Sequence, residues 1–346
     1  MIPDHILIGK TENNLSKIIK SGNYSKVAFL LDTNTLNHCF NKISKSIDFQ
    51  YEKILIDEGE ENKNLETSKK VWDKLIEYKF DRKSILINLG GGVICDLGGF
   101  VASTFMRGID FINIPTTLLS QVDASVGGKL GIDYKNIKNV IGVFKEPNKV
   151  IIDTNYLITL SERELKSGYA EVIKHCLIRD KIMFDKIHNH EWTDIDWDFI
   201  INHSIKIKSD IVKKDLKENG LRKILNFGHT IGHAIETTYL NKLNKFLHGE
   251  AIAIGMICEA YISNHINKLR NDELEKITKY IRKVFKLSKV EYYDEIIKNA
   301  YFDKKNLSEK IRTSSLKGIG NCEYDIEIKE DIIIQSLNYY NLKCDG

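Results

Sequence analysis

Proline is scarce in this chain, with three in 346 residues and none after Pro147. The second half therefore holds no residue that removes a helix donor or clashes with the preceding turn, which suits a helical region. Disulfide and zinc-knuckle patterns are absent as well. The six cysteines (Cys39, Cys95, Cys176, Cys258, Cys322 and Cys344) are widely spaced and no C-x-x-C occurs, so a reducing compartment is the simpler expectation. Charge of one sign is not in excess. The formal net charge is +3, too small to argue for nucleic acid or a membrane surface, and the lysines are scattered among acids. No apolar run approaches the ~20 residues needed to cross a bilayer. The opening M-I-P-D-H-I-L-I-G-K lacks the basic start and apolar stretch of a signal peptide. These absences predict a cytoplasmic protein with no nucleic-acid or membrane partner. Internal repeats and low-complexity linkers are also missing.

What is present reads as an ordinary globular chain, 42% apolar and 29% charged, long enough for two domains, expected at 1–155 and 156–346. Short apolar runs at Lys26–Leu31, Tyr51–Ile56, Ser84–Leu89 and Asp110–Ile114 alternate with helical patterns such as Leu65–Tyr78, where Val71, Leu75 and Ile76 recur between charges. Strands alternating with helices imply an α/β unit with a largely parallel sheet. From Ser161 the pattern changes. S-E-R-E has capping-box spacing, and long segments with few turn signals follow at about 162–180, 196–215, 223–240, 249–267 and 272–286. Only Ser314–Ile319 and Glu323–Ile328 resemble strand again. The predicted fold is an α/β domain followed by a mainly helical one.

Chemistry concentrates in a few stretches. In G-L-R-K-I-L-N-F-G-H-T-I-G-H-A-I-E, Gly220 to Glu236, Arg222, Asn226, His229 and His233 are spaced to share one helix face, offering a cation, an amide and two imidazoles. Glu171 and Lys174 sit at i, i+3 on the helix opened by the capping box, either as an exposed ion pair or as a metal carboxylate beside a substrate lysine. His248 begins another apolar helix. Glu171, His229, His233 and His248 are then four candidates for a metal site with three protein ligands and an open position, and spacing alone pairs His229 with His233. N-L-G-G-G-V-I-C-D-L-G-G, Asn88 to Gly99, runs from a buried strand through glycines into a helix start. It suits a nucleotide pyrophosphate or a tight structural turn, although the G-x-G-x-x-G spacing is absent. Asp32, Asn34 and the E-G-E-E-N-K loop, Glu58 to Lys63, follow strand ends, where α/β sheets bind nucleotides and where ordinary loops also occur. P-T-T-L-L-S-Q-V-D-A-S-V-G-G-K, Pro115 to Lys129, is read as a polar loop offering Thr116, Thr117, Asp123 and Lys129, with Lys138 and Asn139 close behind.

Taken together, D-E-G-E-E-N-K, G-G-G-V-I-C-D-L-G-G-F, M-R-G, I-P-T-T-L-L-S-Q-V-D-A-S-V-G-G-K, G-Y-A-E-V-I-K, the Gly220–Glu236 stretch, L-H-G-E and F-D-K-K-N closely resemble the 3-dehydroquinate synthase family of sugar phosphate cyclases, over about Asp32 to Gly320. The resemblance implies an NAD-binding α/β domain, a helical metal domain and a homodimer. It implies zinc, or cobalt with the same ligands, on Glu171, His229 and His248, and it moves His233 from the metal to the substrate, against the spacing. NAD falls to Asp32, Asn34, Glu60, Lys63, Gly90, Gly91, Gly92, Asp96, Thr116, Thr117, Lys129 and Lys138. Substrate falls to Arg107, Asp123, Lys129, Asn139, Lys174, Lys208, Arg222, Asn226 and either Lys304 or Lys305. The implied sugar phosphate is 3-deoxy-D-arabino-heptulosonate 7-phosphate, whose carboxylate and phosphate match so many cations. Its implied course is transient oxidation at C5, loss of phosphate, re-reduction, ring opening and an aldol closure to 3-dehydroquinate. The alternatives are a sibling cyclase making an inosose or a valiolone, a metal-dependent polyol dehydrogenase, or a silent NAD-binding paralogue. Two positions depart from the family's usual pattern: Cys95 in place of glycine, with an expected loss of backbone freedom, and Leu216 in place of a frequent glutamate.

Overall fold

Each early apolar run is short, rich in β-branched residues and stopped by a polar residue, a glycine or a proline, the ingredients of a strand buried on both faces. A computed structural model describes residues 2–135, 137–266, 268–301 and 310–344, and the chain packs as two compact units, Met1–Leu165 and Lys166–Gly346.

The first unit runs β1 (Ile6–Ile8), α1 (Thr11–Gly22), β2 (Val27–Asp32), β3 (Glu52–Ile56), α2 (Leu65–Glu77), β4 (Ile85–Gly90), α3 (Gly92–Thr104), β5 (Asp110–Pro115), β6 (Lys129–Tyr134), β7 (Ile137–Phe144) and β8 (Lys149–Ile152). Six strands form one sheet in the order β1-β8-β5-β4-β2-β3, with every pairing parallel. Successive side chains of β2 leave opposite faces. Ala28 and Leu30 join Val71, Leu75, Leu97 and Phe100 from α2 and α3, while Val27, Phe29 and Leu31 join Leu15 and Ile19 from α1. Burying each such Leu or Ile stabilises the fold by about 1.5–3 kcal/mol before entropy is counted.

The Pro115–Lys129 stretch is not a simple loop. It contains a π-helical turn at Ser120–Ala124 and ends on Gly127 (φ 101°) and Gly128 (φ 63°), left-handed positions from which β6 departs. β6 and β7 then form an antiparallel ribbon, an element the sequence pattern did not reveal.

The second unit is largely helical, as expected. It runs α4 (Glu162–Arg179), α5 (Lys181–His188), α6 (Trp197–Lys214), a 3₁₀ segment at Leu221–Asn226, α7 (His229–Tyr239), α8 (His248–His265), α9 (Asn271–Val284), α10 (Tyr293–Tyr301), β9 (Ile311–Leu316), β10 (Cys322–Ile328) and α11 (Glu330–Cys344). The anticipated capping serine is in place, since Ser161 Oγ accepts from the Glu164 N–H at 3.2 Å. No helix among the described residues is long and apolar enough to cross a membrane.

One local expectation fails. Gly220 to Glu236 is not a single helix, because the 3₁₀ segment ends at Asn226 and Gly228 (φ 79°) turns the chain before α7 starts at His229. The cause is packing. A Cβ on Gly255 of α8 would stand 2.0 Å from the Gly228 carbonyl oxygen and 2.7 Å from the Gly232 nitrogen. Backbones of α7 and α8 therefore touch, which only glycine permits. Gly255→Ala is expected to destabilise the helical unit by about 2 kcal/mol or more through overpacking, read as a lower urea midpoint by circular dichroism. Gly92→Ala, whose Cβ would meet nothing nearer than 3.9 Å, is expected to leave that midpoint unchanged.

Candidate active site

In the first unit the strand order reverses between β2 and β4, so a crevice opens outside their carboxyl ends, the ligand-binding position of open α/β sheets. Asp32 ends β2, Gly90 ends β4 opposite Pro115, and Thr116 and Thr117 follow β5. Asp32 Oδ1 caps the next turn, accepting from the Thr35 N–H at 2.7 Å, while Asn34 is exposed. Gly90, Gly91 and Gly92 have no positive φ. Their smallness serves contact instead: a Cβ on Gly90 would stand 2.5 Å from Ile94, and one on Gly91 3.2 Å from Thr117. Gly91 is the cap residue of α3, so that helix presents its unpaired N–H groups beside the β4 end. Cys95 lies inside α3 in ordinary helical conformation, and its buried thiol donates to the Gly90 carbonyl at 3.6 Å. The loss of backbone freedom expected there has no consequence.

Lys63 is 4% exposed and stands 2.9 Å from Glu60 and 3.5 Å from Asp96, with Lys138 3.9 Å from Glu60. Burial works against its charge, but the carboxylates of Asp96 and Glu60 outweigh burial and raise its pKa. The expected dinucleotide residues Glu60, Lys63, Asp96 and Lys138 thus form one charged cluster. Asp133 belongs with them, a residue the motifs did not single out. Its Oδ1 accepts from the Asn139 N–H at 2.7 Å, and its backbone N–H donates to the Lys63 carbonyl at 2.7 Å. Asp123 is partly buried in the π-helical turn, and Lys129 is exposed at the start of β6. Arg107 is exposed in a left-handed turn, φ 69°, between Met106 at 49° and Gly108 at 115°.

In the second unit, ligand atoms of Glu171 on α4, His229 on α7 and His248 on α8 converge within 4.8 Å of one another. His229 Nε2 and His248 Nε2 stand 3.4 and 3.7 Å from the same carboxylate oxygen, Glu171 Oε1. Ligands at ~2.0–2.1 Å around a tetrahedral zinc are themselves about 3.3 Å apart, so each imidazole already stands at nearly the required separation from the carboxylate. Each ring is also held from its far side. His229 Nδ1 is 3.1 Å from the Phe227 carbonyl, and His248 Nδ1 is 3.3 Å from Glu236 Oε2. A carbonyl or carboxylate can only accept, so each Nδ1 carries hydrogen and each Nε2 is the nitrogen turned toward Glu171. Burial opposes charge on His248, but Glu236 and Glu171 together raise its pKa to about 10. The field that holds a proton there favours a divalent cation in its place.

Two glycine contacts create this convergence. The Gly255–Gly228 approach fixes α7 against α8. Gly249, whose Cβ would stand 1.9 Å from the Ser167 carbonyl oxygen, seats the first turn of α8 on α4, one turn before Glu171. His233 is partly buried, with its ring centroid 5.0 Å from that of His229 and 5.8 Å from that of His248. A second convergence joins His233, Glu236 and His248. It draws on Glu236, which the first set uses to hold the His248 ring.

The remaining expected residues of this unit are mostly buried. Lys174 is buried, with its ammonium against Glu171 Oε2, and Lys208 is buried on α6. Arg222 is 2% exposed, and its Nη1 donates to the Leu216 carbonyl at 2.7 Å. Asn226 Nδ2 donates to Glu218 at 2.7 Å. The loop between α6 and the 3₁₀ segment is tied by Asp215, whose carboxylate accepts from the N–H groups of Asn219, Gly220 and Arg222 at 3.0, 2.7 and 3.0 Å. Desolvation pushes its pKa up, and those three donors more than reverse it, leaving it below the usual carboxylate range. Glu236, Asp215 and Glu218 escaped the sequence reading. Glu236 shares the helix face of His233 at i+3 and was findable; the other two lie in an irregular loop with no periodic signal. Lys304 and Lys305 lie outside the described residues.

The comparisons with known proteins cover both units. Residues 53–167 match the profile of the 3-dehydroquinate synthase N-terminal domain, and 168–315 match that of the C-terminal domain. A 3-dehydroquinate synthase of Parabacteroides distasonis is 37% identical over 335 residues, 95% of each chain. One of Clostridium botulinum is 41% identical over 323 residues, 91% of each chain. Among solved structures, a 2-epi-5-epi-valiolone synthase of Streptomyces hygroscopicus, with NAD⁺ and Zn²⁺ bound, superposes with a TM-score of 0.89 at 23% identity, covering 99% of this chain and 98% of that one. A 2-deoxy-scyllo-inosose synthase holding carbaglucose-6-phosphate, NAD⁺ and Co²⁺ gives 0.83 at 22% identity, covering 96% of each. With both units matched in order and curated relatives aligned over nearly their whole length, the chain belongs to the 3-dehydroquinate synthase family.

Proposed function

We infer that the chain converts 3-deoxy-D-arabino-heptulosonate 7-phosphate to 3-dehydroquinate and inorganic phosphate. The observation that carries the reading is the Glu171–His229–His248 convergence, with both imidazoles held from behind, in a chain of this family. One carboxylate and two imidazole nitrogens converging within 4.8 Å fit zinc, or cobalt by ligand type. The strand ends around Asp32, Gly90–Gly92 and Thr116, with the Glu60–Lys63–Asp96 cluster, suit the dinucleotide. When bound, NAD⁺ supplies reversible hydride acceptance and the cation supplies Lewis acidity.

The chain's own residues then bind, orient and move protons. Arg222 and Asn226, anchored by Leu216 and Glu218, are assigned to the anionic ends of the substrate, with Lys174 and Lys208 as buried cations. Arg107, Asp123, Lys129 and Asn139 are assigned to substrate from the first unit. His233 is outside the ligand trio, so its imidazole orients a substrate hydroxyl or passes a proton. The substrate phosphate itself can take the C6 proton as it leaves, so the protein's contribution is mainly positioning and electrostatics. A homodimer belongs to the same reading.

Protein supplied with the heptulosonate phosphate, zinc and catalytic NAD⁺ is expected to release phosphate and 3-dehydroquinate in equal amounts without accumulating NADH. Phosphate release only from a hexose or sedoheptulose phosphate identifies a sibling cyclase, and stoichiometric NADH a dehydrogenase. His248→Ala is expected to weaken zinc binding by more than about 100-fold. His233→Ala is expected to keep zinc and lose about 10²–10⁴-fold in kcat, the range of a lost proton relay. Zinc content by atomic absorption decides between them, and loss of zinc from both variants returns the metal to the paired histidines. Asp215→Asn loosens the loop that seats Arg222, so KM for the sugar phosphate is expected to rise about tenfold with zinc content unchanged.

A further inference from the structure

We infer that Glu259 is a positioning residue for the metal site, acting through the backbone of the His229 segment; the inference rests on the zinc reading of Glu171, His229 and His248. Helix α7 starts at His229 and its cap residue is Gly228. Glycine has no side chain to satisfy the exposed N–H groups of the first turn, the task usually performed by Ser, Thr, Asp or Asn. None of these fits, because a Cβ on Gly228 would stand 2.5 Å from Met256 Cγ and φ is +79°.

The cap comes from the neighbouring helix instead. Glu259 on α8 is 1% exposed; its Oε2 accepts from the Gly228 N–H at 2.8 Å and its Oε1 from the Ile231 N–H at 3.2 Å. Oε2 also accepts from Thr313 Oγ1 on β9 at 2.6 Å. A carboxylate buried this deeply is tolerated because three donors and the positive end of α7 face it. These bonds set the cap position and the third residue of α7, and His229 lies between them. They fix the turn in which the Phe227 carbonyl holds His229 Nδ1, and hence the aim of Nε2. Glu259 need not touch the metal to govern it.

The charge and both oxygens matter. A glutamine at this position would turn an NH₂ group toward a donor, leaving at least one donor facing another donor. Glu259→Gln is therefore expected to loosen the His229 ring and weaken zinc binding by about 10–100-fold, the usual effect of removing an outer partner of a ligand. The control is Glu273→Gln, another buried acid of the same unit, which accepts from the Ile319 N–H at 3.2 Å and is not among the converging groups. It is expected to lose thermal stability but to retain zinc affinity within about twofold.

Zinc affinity is read by chelator competition, and the d–d absorption of the cobalt-loaded proteins reports ligand geometry independently of turnover. Glu259→Gln with weakened zinc and an altered cobalt band, against an unaltered Glu273→Gln, supports the inference. Wild-type zinc affinity and cobalt band in Glu259→Gln overturn it. Should Glu259→Gln fail to fold, Thr313→Val removes one donor and leaves the carboxylate in place. A several-fold zinc loss with a shifted cobalt band then supports the inference, and an unchanged pair overturns it. Failure of the zinc reading itself is separate, because it shows as absent tight metal binding in the unmodified protein.

Discussion

The approach of two helix backbones, α7 and α8, is the constraint on which the helical unit depends. A Cβ on Gly255 would stand 2.0 Å from the Gly228 carbonyl oxygen. That closeness excludes a conventional capping side chain at Gly228, ends the preceding 3₁₀ segment and makes α7 begin at His229. It also lays α7 along α8, Gly228 beside Met256 and Gly232 beside Ala251, and each helix carries one imidazole of the site. Gly249 against Ser167 adds the third helix by seating α8 on α4, which bears Glu171. Three ligands far apart in sequence meet because three helices are allowed to lie unusually close.

Much of this fold was legible in the chain. Central strands declared themselves because both faces of the parallel sheet are buried, so V-A-F-L-L reads as one apolar run. The short edge strand β1 gave too few residues for a pattern. The β6–β7 ribbon is half-exposed, with Tyr134, Ile137, Val140 and Phe144 facing solvent, so its period does not separate core from surface. In the site, spacing detected the real neighbours on one helix: His229 and His233 do lie side by side. Spacing is blind to a carboxylate arriving from a different helix, and Glu171 is that carboxylate. The assignment of the trio came through resemblance to whole motifs.

Charges are buried in matched groups. Lys63 sits among Glu60, Asp96 and Asp133; Lys174 lies against Glu171; and Glu259 faces the start of α7. Left alone in an apolar interior each charge would be strongly destabilising, and each is offset by opposite charge or by backbone donors. The two units use this differently. In the first unit the cluster surrounds a lysine near the ends of the strands. In the second, one carboxylate holds the His248 imidazole and another a helix start, which turns polar burial into orientation.

The grip on Arg222 has a consequence for how this chain can drift. Its guanidinium is held by the main-chain carbonyl of Leu216, while Leu216 as a residue is 52% exposed. A carbonyl oxygen is supplied by any residue at that position. Substitution at 216 therefore changes the surface and leaves the arginine's anchor untouched, so divergence there measures elapsed history more than altered chemistry.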